Sequence, residues 1–178
     1  MDTRKSQRDL QGGAALITAL LLLVVMTILA VTVMQMSRVQ ERMVGATRDI
    51  TVGFEAAEAA VRNAETAIDQ QAVLPGLCNA SPCQFWVDGS IVDVANQDKN
   101  WWSNNATNFA DKSGQALTGV NENPRYVIEH QAFVRTDGGI KAGVEPVGRD
   151  FFQVTGRSTG ASGVANVVVQ TTFAKKFP

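Results

Sequence analysis

Histidine is almost missing from this 178-residue chain, with His130 the only one. Metal sites of the His/Cys type need several ligands together, and a Ser-His-Asp set needs a histidine beside its nucleophile. His130 stands inside a β-forming stretch instead, where an ordinary sheet residue is expected. Cysteine is nearly as scarce. Cys78 and Cys83 lie close together among turn residues, Pro75-Gly76-Leu77-Cys78-Asn79-Ala80-Ser81-Pro82-Cys83. An even, closely spaced pair suits a small disulfide loop in an oxidising compartment, the alternative being two unpaired surface thiols. An excess of either charge is also lacking. Sixteen Lys and Arg against seventeen Asp and Glu give a net charge of −1, which points to no nucleic-acid partner. Gly156-Arg157-Ser158-Thr159-Gly160 lacks the lysine and spacing of a phosphate loop, and Asp88 and Asp93 make no calcium-loop pattern. No catalytic set, metal or cofactor is therefore expected, and the chain reads as non-enzymatic.

The longest absence is of charge, since no charged residue stands between Asp9 and Arg38. Within that interval Ala14 to Met34 is a 21-residue apolar run with six Leu, two Ile and four Val. At about 1.5 Å rise per residue it forms a helix of roughly 31 Å, matching a bilayer core of about 30 Å. Thr18, Thr27 and Thr32 can bond back to the helix backbone, so they do not forbid insertion. The run reads as a membrane span. Before it, residues 1–13 are polar and end in Gly12-Gly13. A secretory signal has a shorter apolar core with its small-residue cleavage site after it. Here the glycines stand before the run. Basic residues tie across the span, with Arg4, Lys5 and Arg8 on one side and Arg38, Arg42 and Arg48 on the other. The cysteine pair breaks the tie and places the C-terminal part outside the cytoplasm.

Proline is absent before Pro75, so nothing stops a helix from Ala14 to about Gln71. Gly45 and Gly53 weaken it by about 1 kcal/mol each without ending it. Beyond the span the pattern turns amphipathic. Val39, Met43, Ala46, Ile50, Phe54, Ala57, Val61, Ala64 and Ile68 recur at steps of 3 and 4, which puts them on one face. Most charged residues lie off that face, and Glu58 and Arg62 are four apart in the favourable order. The small Ala46, Ala57 and Ala64 suit close packing against a sheet or neighbouring helices. Residues 72–124 read as a long irregular region. Its Trp101-Trp102 pair is expected in a core rather than as an exposed patch, and its two Asn-x-Ser/Thr triplets (at Asn79 and Asn105) arise by chance. From Pro124 the chain becomes strand-like. Arg125–Val134, Asp150–Ser158 and Val164–Phe173 are rich in β-formers, with turns at Asp137-Gly138-Gly139 and Gly160-Ala161-Ser162-Gly163. Short connections predict an antiparallel sheet whose apolar face receives the helix stripe, an α+β lollipop.

A basic leader ending in glycine, an apolar helix starting at once and an α+β head together resemble the type IV pilins and pseudopilins. Glu41-Arg42-Met43-Val44-Gly45, Arg48-Asp49 and Phe54-Glu55-Ala56-Ala57-Glu58-Ala59-Ala60-Val61-Arg62-Asn63-Ala64-Glu65 are similar to PilX-type minor pilins. Pro124-Arg125-Tyr126-Val127-Ile128-Glu129 and Val167-Val168-Val169-Gln170-Thr171-Thr172-Phe173 fit the same group. The resemblance implies four segments: a leader peptide (1–13), a span and fibre-core half-helix (14–34), an amphipathic half-helix (35–71) and a head (72–178). It implies cleavage after Gly13 by a prepilin peptidase and N-methylation of Ala14. The partners implied are other minor pilins, the major pilin, the assembly platform, the inner membrane and a tip adhesin. The fifth mature position, usually glutamate in the family, is Thr18 here. That departure implies a place at the pilus tip, in a complex that primes assembly. A secretion pseudopilin of the K type and a bitopic anchored binding protein are the alternatives.

Overall fold

The computed structural model describes residues 6–136 and 147–178, with residues 6–12 as backbone only. Residues 1–5 of the leader and the expected turn at Asp137-Gly138-Gly139 lie outside the described residues. The elements in order are α1 (Ser6–Asp69), β1 (Phe85–Val87), a short 3-10 turn (Val94–Asn96), α2 (Lys99–Asn105), β2 (Thr107–Asn108), α3 (Phe109–Ser113), β3 (Arg125–Arg135), β4 (Gly148–Ser158) and β5 (Val167–Lys175). Two compact units result, one up to Ala46 and one from Thr47 onward. The architecture is α+β, a long N-terminal helix followed by a C-terminal sheet.

Among the described residues the first unit is helix alone. Gly12 and Gly13 lie within α1, so the glycine pair does not start the helix. Every side chain from Gly13 to Ala46 is exposed. One helix of this stretch is long and apolar enough to cross a membrane.

In the second unit a sheet ordered β1-β3-β4-β5 forms the middle layer. β3, β4 and β5 are antiparallel. The sheet is not purely antiparallel, however. β1 runs parallel to β3, with Phe85 opposite Ile128, and β2 pairs with the start of β3 through Thr107 and Tyr126. Residues 72–124 are thus more ordered than their irregular composition suggests. They supply two strands, two helices and a second core.

Each face of the sheet carries its own core. Successive strand residues point to opposite sides. Tyr126, Ile128, Phe152 and Val154 pack with Ala60, Val61, Ala64 and Ile68 of α1, and with Phe85. On the other side Val127 packs with Trp86, Ile91, Val94 and Trp102. Trp102 is fully buried and Trp101 half-buried, so the tryptophan pair does serve a core. Burial on both faces explains why Tyr126-Val127-Ile128 reads as an unbroken apolar run rather than an alternation.

The helix stripe holds from Ala57 onward, where Ala57, Ala64 and Ile68 are completely buried and Val61 nearly so. Before that it fails. Ile50 and Phe54 are exposed at 56% and 48%, and Val39, Met43 and Ala46 are exposed too. The buried residue is Gly53, one position from Phe54. A methyl there would come within 3.0 Å of Val167 Cγ2 and 3.4 Å of the Gly160 backbone. At this turn the helix makes its contact through its own backbone, against the Val167 side chain and the Gly160 main chain. Gly156 of β4 repeats the device, because a Cβ would sit 2.8 Å from both the Ala57 carbonyl oxygen and Val61 Cγ2. With no side chain on the strand and alanines on the helix, the two backbones approach directly.

Candidate functional site

Gly13, Ala14 and Thr18 all lie on α1 and are exposed. Ala14 and Thr18 are one turn apart and share a face. Thr18 Oγ1 donates to the Ala15 carbonyl at 3.0 Å. Thr27 and Thr32 do the same toward Val24 and Ile28, each at 2.8 Å. These bonds satisfy the hydroxyls inside the helix, so the surface from Ala14 to Met34 presents apolar side chains and no unpaired hydroxyl. It matches lipid, and equally a bundle of similar helices.

Cys78 and Cys83 form a disulfide with Cα atoms 5.9 Å apart. The loop is also tied by its backbone, since Cys78 N–H donates to the Phe85 carbonyl and Val87 N–H donates to the Cys78 carbonyl, both at 3.0 Å. The crosslink therefore anchors the entry to β1, the strand that periodicity did not reveal. This pair belongs to the second unit, and Gly13, Ala14 and Thr18 belong to the first.

His130 Nε2 lies 2.8 Å from Asp150 Oδ1 in a nearly buried pair, edge-on to Phe152. It is a sheet residue held by one carboxylate. Among the described residues no group of His, Cys, Asp and Glu could hold a metal ion. Glu129, on the opposite face of β3, is buried, and desolvation, with the nearby Asp88 charge, raises its carboxyl pKa.

The contacts that hold α1 on the sheet were not singled out by sequence reasoning. Asp49 accepts from Ala161 N–H at 2.7 Å, Ser162 N–H at 2.8 Å and Ser162 Oγ at 2.5 Å. Those bonds hold its carboxyl below its ordinary value, the Ser162 hydroxyl contributing most. The receiving turn has Gly160 and Gly163 at φ of +67° and +81°, which glycine tolerates without steric cost. At the other end, Lys175 Nζ donates to the carbonyls of Ile68 at 3.0 Å, Gln71 at 2.8 Å and Asp69. Carbonyls at a helix C-terminus lack intrahelical donors and carry partial negative charge, so a lysine there both caps and neutralises. Gly53 and Gly156 did leave a signal. An isolated glycine within a strand or an alanine-rich helix marks close backbone approach. Asp49 and Lys175 left none, because their partners are over a hundred positions away.

The PilX N-terminal family model matches residues 11–62, and the model for the C-terminal part of the type IV pilus assembly protein PilX matches residues 56–175. The chain belongs to the PilX family of type IV pilus minor pilins. Searches of curated proteins and of solved structures found no match. The two matched segments overlap at residues 56–62, where α1 packs on the sheet through Ala60 and Val61. A PilX-type pilin is a structural component of pilus assembly, which agrees with a fold built around an apolar helix. Asp49 lies within the matched N-terminal segment and is the acceptor for the turn after β4.

Proposed function

We propose that this minor pilin primes or caps a type IV pilus as part of a tip complex. The peptidase cuts after Gly13, and Ala14 becomes the N-methylated first residue. Before assembly the apolar helix sits in the inner membrane, with its N-terminus cytoplasmic and the head in the periplasm. During assembly the helix moves from lipid into a bundle of like helices formed by the other minor pilins and the major pilin, on the assembly platform. Both surroundings are apolar, so the exchange is nearly balanced and a motor elsewhere can drive it. A tip adhesin is the partner expected for the head.

The observation that carries this reading is Thr18 with its hydroxyl satisfied by Ala15. A carboxylate at that depth costs roughly 2.5–3.5 kcal/mol on insertion scales and needs a partner. In the family, the usual glutamate meets the N-terminal amine of the subunit above. A subunit with nothing above it has no such amine to meet. Thr18 inserts cheaply and leaves the Ala14 amine free for the next subunit's glutamate.

Intact mass of protein extracted from cells with active prepilin peptidase tests the processing step. A chain starting at methylated Ala14 is expected, and retention of residues 1–13 defeats the proposal. Gold labelling of whole fibres tests the location. Label at fibre ends is expected, and label along the shaft refutes a tip position. Deleting the gene should reduce piliation and leave protein export intact, and the reverse outcome would favour a secretion pseudopilin.

A further inference from the structure

Where α2 meets the sheet, a shallow, open cleft is lined by Lys99, Trp102, Glu122, Arg125, Arg157 and Thr159, among others. Most of its charged groups are engaged. Lys99 is paired with Glu122. Arg125 Nη1 donates to the carbonyls of Ser103 at 3.2 Å and Ala106 at 3.4 Å, at the end of α2. Asp98, nearby, accepts from Trp101 N–H at 2.7 Å as the N-cap of that helix. Arg157 differs. Its Nε donates to Asn166 Oδ1 at 2.7 Å, and its guanidinium lies 5.8 Å from the centre of the Trp102 ring. Those two contacts fix the guanidinium plane. Among the described residues no carboxylate is within ion-pair distance of it, and its Nη groups have no partner.

Two further atoms in the same wall lack partners. Trp102 Nε1 and Thr159 Oγ1 are buried without a hydrogen bond. Trp102 is completely buried and Thr159 is 9% exposed. Burial lowers the Arg157 pKa, and the more distant Glu122 and Asp98 charges oppose that shift. A half-buried cation with no carboxylate in direct contact, only more distant charges, leaves its Nη donors to be satisfied. One acceptor group with two oxygens would meet the Nη pair of Arg157. Three cations against Glu122 and Asp98 leave one net positive charge, which suits a singly charged carboxylate better than a doubly charged phosphate.

We propose that this cleft binds one carboxylate group, gripped by the forked Nη groups of Arg157 over Trp102 and presented by an acidic side chain of a neighbouring protein chain. Planar guanidinium and planar carboxylate match through two parallel hydrogen bonds, which lysine cannot reproduce.

The test uses the full chain in detergent micelles with ¹⁵N-labelled arginine, following the Arg157 Nε–Hε resonance. The titrants are sodium acetate, sodium chloride at equal ionic strength, an acetylated and amidated Gly-Glu-Gly tripeptide, and its Gly-Gln-Gly counterpart. A saturable shift is expected with acetate and the Glu peptide, and none with chloride or the Gln peptide. Tryptophan fluorescence should follow the same isotherm, with binding weakened about tenfold or more in Arg157→Gln and several-fold in Arg157→Lys. Tighter binding of the Glu peptide than of acetate supports a carboxylate presented by a protein. Equal binding keeps the site but overturns its assignment to a neighbouring chain. Absence of a saturable carboxylate shift in the unaltered protein overturns the proposal outright, and so does a chloride response equal to that of acetate. The wild-type resonance decides even if a variant fails to fold.

Discussion

Adding one methyl group at Gly156 should damage this protein more than removing charge from most of its surface. Gly156 lies in the middle of β4, between Tyr126 of β3 and Val169 of β5, facing the helix. A Cβ there would lie 2.8 Å from the Ala57 carbonyl oxygen, which is backbone and cannot rotate away. It would also lie 2.8 Å from Val61 Cγ2, on a side chain only 4% exposed. Ordinary contact needs about 3.5–4.0 Å, so helix and strand must separate locally by several tenths of an ångström. Forcing a methyl or methylene into a packed core costs typically 1–3 kcal/mol. The loss is expected near the upper end, because one of the two neighbours is main chain. At about 4 °C per kcal/mol for a unit of this size, Gly156→Ala should lower Tm by roughly 8–12 °C. The assay is near-UV circular dichroism of the full chain in detergent. All three tryptophans, Trp86, Trp101 and Trp102, belong to the second unit, so the signal reports that unit alone. Gly45→Ala is the control, since a Cβ at Gly45 meets nothing within 4 Å. It should not lower the transition. If Gly156→Ala melts with the wild-type protein, the direct approach of helix and strand is wrong.

Asp49→Asn should lower Tm at neutral pH, and the difference from wild type should depend on pH. The folded-state value of Asp49 is depressed below its ordinary 3.8, so its contribution is fully present above that value and is lost as pH falls through the lower folded value. Melting curves from pH 7 to pH 2 check this, and a gap that persists at the acid end would contradict it. Lys175→Met keeps the aliphatic packing but removes the donor for three carbonyls at the end of α1, and should cost about 1–2 kcal/mol in urea unfolding. Replacing both Cys78 and Cys83 with serine should cost about 2 kcal/mol on the chain-entropy estimate for so short a loop. Urea midpoints of that variant and of wild type should converge when wild type is reduced. Thr18→Glu should still be processed after Gly13 and be tolerated or mildly harmful to piliation, so complete loss of pili would argue against a tip position.

The apolar run was legible because a membrane span is a one-dimensional property. Length, missing charge and absent proline suffice, and no contact with the rest of the chain is needed. The three long strands were legible to within three residues at each end, because β-formers bounded by turn residues are a local pattern. The helix stripe was legible only from Ala57, where its apolar residues are the buried ones. At Gly53 the contact is made by backbone, and an apolarity pattern then points to the neighbouring Phe54. Residues 72–124 were hardest. Their core depends on Trp86, Ile91, Val94 and Trp102 meeting Val127, at separations no periodicity spans.

The sequence alone determined the apolar helix, the cysteine spacing and the choice of threonine at position 18, since each is a matter of composition at fixed positions. Tertiary structure decided what those pieces act upon. It brought Asp49 to the 160–163 turn, Lys175 to the end of α1 and Arg157 over Trp102. Hydrogen bonds and close packing depend on distances in space, and only the folded sheet makes residues a hundred positions apart into neighbours.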